Sequence, residues 1–97
     1  MDSKQQAIVD KLEAKAQKAQ AKLDRLRAEA KQASAERRIE IHRAIEDLEV
    51  ARDEATRRLA DLRDAGEDAW DQLSEGTERA WRDLSNAFDE AKERFLS

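Results

Sequence analysis

Ninety-seven residues, 43% of them charged and 4% aromatic, with no proline, no cysteine and a net charge of −4, leave room for one small domain. They exclude a disulfide framework and thiol chemistry. Eighteen of the residues are alanine, so the composition is that of a long helix or coiled coil rather than a globule with a bulky core. Ordering such a chain costs roughly 1.5 kcal/mol per residue, more than one thin apolar stripe offsets, and a helical partner is the natural remedy.

The chain opens on MDSKQQAIVDKLEAK, too polar for the apolar run of a signal peptide. No stretch approaches the roughly eighteen apolar residues of a membrane span, and the expectation is a cytoplasmic protein. Asp2 or Ser3 is a plausible helix N-cap, with Gln5 or Gln6 near N3 in the manner of a capping box. From there to Ala65 neither proline nor glycine interrupts, and the reading is uninterrupted helix. Its first part, residues 3–40, follows heptads: Ala16, Leu23 and Ala30 in one row, Ala19, Leu26 and Ala33 in the other. Alanine at so many core positions implies close helix approach. The steps of four from Ala33 to Arg37 and on to Ile41 form a stutter, which locally unwinds a left-handed coil. Arg37 either sets register there or is an exposed side chain where packing is loose.

Residues 41–97 repeat every eleven. Leu62, Leu73, Leu84 and Phe95 make one row, and Leu48, Leu59, Trp70 and Trp81 another. Eleven residues fill three turns at 3.67 per turn, so the stripe runs nearly straight along a helix. Acid-before-base pairs at i,i+4, Asp53–Arg57, Glu54–Arg58, Glu75–Arg79, Glu78–Arg82 and Glu90–Arg94, each add a few tenths of a kcal/mol. Gly66 and Gly76 are the two candidate breaks. Because the eleven-residue phase from Leu59 to Trp70 and from Leu62 to Leu73 is unbroken, close-contact points for a neighbouring helix are favoured over a turn, with a fold-back near Gly66 kept open. Charge is polarised: residues 1–34 carry eight basic and five acidic groups, residues 60–97 five basic and eleven acidic. Such a distribution suits antiparallel or head-to-tail pairing, or is simply a solvated surface.

Chemistry finds little support. His42 has Glu46 and Glu49 on its face but no second histidine or cysteine, so neither a zinc nor a di-iron spacing is met. No glycine-rich phosphate loop exists, and the expectation is no enzyme, no cofactor, no metal and no catalytic residue. The doublets Arg37-Arg38 and Arg57-Arg58 lie among acids, with no interleaved aromatic to stack on bases, and nucleic acid is not an expected partner. Trp70, Trp81, Phe88 and Phe95 have the size of interfacial anchors, but the acidic balance around them would be repelled by anionic lipid.

The segment Gly66-Glu-Asp-Ala-Trp70-Asp-Gln-Leu73, then Gly76, Ala80-Trp81-Arg-Asp-Leu84 and Ala87-Phe88, resembles a group of small bacterial coiled-coil proteins of undefined biochemical function, sometimes grouped with stress-associated sequences. The eleven-residue repeat is similar to those of exchangeable apolipoproteins and late-embryogenesis-abundant proteins, without the prolines that punctuate the former. The reading is thus all-α: one helical unit over residues 1–97, forming a coiled coil or helical bundle by self-association. Its expected interface is Leu48, Leu59, Leu62, Trp70, Leu73, Trp81, Leu84, Phe88 and Phe95. Its expected partner is itself or another helical protein, in assembly or scaffolding. The alternative is a lipid-surface helix using the same residues.

Overall fold

The structure, a computed structural model, describes residues 1–96. It contains three helices of nearly equal length: α1 (Ser3–Gln32), α2 (Ala35–Asp64) and α3 (Glu67–Phe95). They pack side by side into a rod of 51 × 18 × 17 Å. The all-α helical bundle is therefore as expected, but it is built from one chain. Cross-helix pairs give the direction of each helix. Glu13–Arg63 and Arg27–Glu49 tie α1 to α2 with one number rising as the other falls, an antiparallel pair. Arg94–Glu40 and the Thr77 hydroxyl on the Arg58 carbonyl do the same for α3 and α2, and Lys22–Asp89 joins α1 and α3, which therefore run parallel.

The first turn forms as its residues predict. The Gln5 backbone N–H donates to Asp2 Oδ1 at 2.8 Å, and the Asp2 N–H donates to Gln5 Oε1 at 3.3 Å, a complete capping box. Four of the six heptad positions, Ala19, Leu23, Leu26 and Ala30, are buried, joined by Val9 and Leu12; Ala16 is half-buried, and Ala33 lies beyond the end of α1 in the connector.

The uninterrupted helix to Ala65 is a correction. α1 ends at Gln32, and a two-residue connector, Ala33-Ser34, reverses the chain. Ser34 acts as the N-cap of α2, its Oγ accepting from the Arg37 N–H at 3.4 Å. The irregular steps around Arg37 mark this reversal rather than an unwound coil. Once the chain turns, positions 34 to 40 no longer have to continue the seam, and all seven are exposed. The division at residue 40 accordingly gives way to breaks at 33–34 and 65–66.

The doublet Arg37-Arg38 holds this end of the rod closed. Arg38 Nε donates to the Ala30 carbonyl at 3.0 Å and its Nη2 to the Ala33 carbonyl at 3.1 Å. These groups at the end of α1 otherwise depend on water. Arg37 Nη2 donates to the Arg94 carbonyl at 3.1 Å, and its guanidinium lies 5.4 Å from the Phe95 ring centre. Two cations thus sit at two helix C-termini, where the helix dipole favours positive charge. Arg38→Met should lower the free energy of unfolding by about 1 kcal/mol, measured by urea denaturation. Arg38→Lys, which keeps the charge without the fork, should recover only part of it.

Gly66 is the second correction. It is the N-cap of α3 in an extended conformation (φ −75°, ψ 174°), with no side-chain cap, and an added Cβ would meet nothing within 4 Å. It is a turn residue, and the fold-back kept open there does occur. Gly76 lies inside α3, where a Cβ would sit 3.5 Å from Arg58 Nη1, ordinary contact with a flexible neighbour on α2.

Candidate functional site

With three helices folding onto one another, the apolar stripe closes inside the chain. Leu48, Leu59, Leu62, Trp70, Trp81, Leu84, Phe88 and Phe95 are all buried, together with Ile41, Ile45, Ala55 and Ala91. Residues expected at an interface between chains are thus packed against helices of the same chain. Leu73 departs from the set: it is 38% exposed, beside Arg57, Asp61 and Gln72 in a shallow depression between α2 and α3. After the chain reverses at Gly66, burial on α3 steps from Trp70 to Thr77 and Trp81, and the Leu62–Leu73 row no longer runs along one helix. Thr77 takes the interior place, its hydroxyl donating to the Leu73 carbonyl at 2.8 Å.

The large aromatics consequently have no free face to offer a lipid surface. Trp81 is 1% exposed; its neighbours lining one small depression include Ala19, Leu84 and Phe88, with Lys15, Lys18 and Lys22 at the rim. Its indole Nε1–H is buried without a hydrogen-bond partner among the described residues. Phe95 carries two guanidinium groups, Arg37 at 5.4 Å and Arg94 at 4.9 Å from its ring centre, contacts that favour the cation over the ring face.

The surface is divided by charge. α1 carries eight basic and four acidic side chains, α3 four basic and nine acidic. Their parallel packing places the basic helix beside the acidic one, so part of the polarity in the sequence is answered within the molecule. Lys22–Asp89, at 3.6 Å, is an ion pair between these two helices. Lys11, Lys15, Lys18 and Arg25 fall on the same flank as Lys22 at spacings of three and four, facing the groove shared with α3. Those four make no ion pair among the described residues.

Two of the five i,i+4 pairs form, Glu54–Arg58 at 3.2 Å and Glu75–Arg79 at 2.9 Å. Asp53 is taken by Arg52, and Arg94 reaches across to Glu40. His42 is exposed, and among the described residues no three His, Cys, Asp or Glu side chains converge on a metal-sized site. A groove of about 370 Å³ between α2 and α3 is lined by Ala51, Ala55, Gly76, Ala80 and Leu84. Among the described residues no helix is long and apolar enough to cross a membrane.

Two features escaped sequence reasoning. The capping role of Arg37 and Arg38 needed the chain reversal to be known. The outward face of α2 escaped because it breaks the amphipathic pattern. Ile39 is 56% and Val50 69% exposed, eleven residues apart and so on one side of the helix. In comparisons with known proteins, no protein-family model, no curated protein and no solved structure matches this chain.

Proposed function

We propose that this chain is a non-catalytic helical module that works by assembly, first of all with copies of itself. The observation that carries the reading is the division of charge along a rod whose core is already closed. A lengthwise basic flank on α1, with Lys11, Lys15, Lys18 and Arg25 unpaired among the described residues, lies opposite in sign to the acidic face of α3. Rods of this kind attract one another side by side, by forces that salt screens over about 10 Å at 0.1 M. Light scattering over a dilution series should show mass rising with concentration at low ionic strength and falling when salt is added. A constant monomer mass under both conditions would sink the reading.

A second reading, attachment to an anionic lipid surface, is favoured by the same lysine row, since each basic side chain near such a surface adds about 1 kcal/mol. In this form the lysines would make the contact, with the tryptophans left buried. Co-sedimentation with vesicles containing phosphatidylserine, compared with neutral vesicles, separates the two. Binding by a protein that stays monomeric without lipid favours the membrane.

A further inference from the structure

The outward face of α2 is self-complementary. Opposite its core residues Ile41, Ile45, Leu48 and Ala55, the helix turns Ile39, Arg43, Glu46 and Val50 toward solvent, all four exposed. Their spacings of four, three and four keep them in a single stripe. Isolated exposed aliphatics are ordinary on protein surfaces. Here two of them flank an unlike-charged pair, and among the described residues the side chains of Arg43 and Glu46 have no ion pair or hydrogen bond.

The order apolar, basic, acidic, apolar reads as its own complement when the helix is turned end for end. A two-fold axis through the point between Ala44 and Ile45 sets Ile39 against Val50 of a second copy. It sets Arg43 against the second copy's Glu46, and each contact recurs on the other side of the axis, as an isologous interface requires. A parallel arrangement would instead face Arg43 with Arg43 and Glu46 with Glu46.

We infer that α2 is the dimerisation helix, joining two rods through an antiparallel contact of Ile39, Arg43, Glu46 and Val50. This rests on the reading that the chain assembles with copies of itself, and adds to the charged flanks of α1 and α3 a second surface, on α2, with a defined register. One step beyond the four layers, Glu36 meets the second copy's Asp53, like charges that end the contact. The stripe from Ile39 to Val50 is only about 17 Å long, so the dimer belongs with small, weak and reversible interfaces. The aliphatic ends contribute the burial, while the Arg–Glu layers select direction, the usual role of charge at an interface.

Sedimentation velocity across protein concentrations from about 10 μM to about 1 mM, the range of weak association, tests it. Wild type is expected to pass from monomer to dimer, and Val50→Asp should weaken this at least about tenfold. Arg43→Glu or Glu46→Arg alone opposes like charges and should weaken it similarly. An equimolar mixture of these two variants should form a heterodimer, because every charged layer is then matched. All three changes are on exposed residues, so circular dichroism should stay that of the wild type. The doubly substituted Ile39→Cys/Val50→Cys chain should be linked into a covalent dimer by mild oxidation, and Val50→Cys alone should not. A dimer that survives Val50→Asp, or ready cross-linking through Val50→Cys alone, overturns the interface and leaves assembly standing. A wild-type monomer throughout overturns both.

Discussion

Trp81→Ala should remove about 3–5 kcal/mol of stability, the largest loss expected from any single truncation in this chain. Trp81 is 1% exposed and among the largest fully buried side chains. With alanine supplying so much of α1, few neighbours are long enough to collapse into the space it leaves. Ala19, Leu84 and Phe88 border it, and the volume of a missing indole would stay open beside them. A domain of this size has roughly 5–15 kcal/mol in total, so the variant should lie close to its unfolding threshold at room temperature. Chemical denaturation followed by circular dichroism reads this directly.

Trp81→Phe should behave differently, and the difference is informative. The indole Nε1–H is buried without a partner, which costs about 1–3 kcal/mol relative to a satisfied donor. Phenylalanine gives up part of the buried ring area, at about 25 cal/mol per Å², and also removes the orphan N–H. The two effects oppose each other, so Trp81→Phe should stay near the wild type while Trp81→Ala does not. Equal losses in both variants would mean that the indole N–H finds a partner in solution and carries no penalty.

The helix content, the heptad rows of α1 and the burial of eight of the nine expected stripe residues were legible in the sequence because they depend on local spacing. Leu23, Leu26, Leu59 and Trp81 stay on the core side whether the neighbouring helix lies in the same chain or another. The source of that neighbour was not legible for the same reason. A stripe in phase across Ala33-Ser34 and Gly66 fits one long helix as well as three short ones, and the turns use residues that helices also accept. Ser34, with Glu36 behind it and Lys31 before it, was the local signal for the first reversal, strengthened by the failure of the seam at Arg37. Leu73 was misplaced because the eleven-residue row was carried through Gly66, where the helix axis changes direction. The outward stripe of Ile39 and Val50 was not legible because two aliphatic residues on the polar side of an amphipathic helix carry no periodic signal of their own.

Ser34→Ala combined with Gly66→Ala should convert the single-chain bundle into a long-lived dimer that exchanges helices. Neither connector is held by unusual backbone: no described residue has positive φ, and Ser34 (φ −60°, ψ 162°), Ala65 (φ −72°, ψ 141°) and Gly66 (φ −75°, ψ 174°) are all extended. What favours the bend is capping. The Ser34 hydroxyl accepts the Arg37 N–H, and its loss costs about 1 kcal/mol. Glycine at position 66 disfavours a continuous helix by about 1 kcal/mol relative to alanine. The double substitution shifts both terms toward straight helices. Straightening keeps the stripe in phase, since Ala30 and Ile41 are eleven residues apart, as are Leu59 and Trp70. The same core can then be rebuilt with helices from a second copy, the short-hinge route to domain swapping. The exchanged dimer should persist on dilution to micromolar protein and return to monomer only on unfolding and refolding, which size-exclusion chromatography with light scattering resolves. Glu67→Pro is the opposing variant. Proline suits the first position of a helix and holds the preceding residue extended, the conformation Gly66 already has, so α2 and α3 cannot merge. It should remain monomeric at the same dilution, whereas a doubly substituted chain that also remains monomeric, losing only about 1–2 kcal/mol, would mean that packing at the closed end of the rod, with Arg37 and Arg38 across the helix termini, outweighs the connectors in keeping each chain folded on itself.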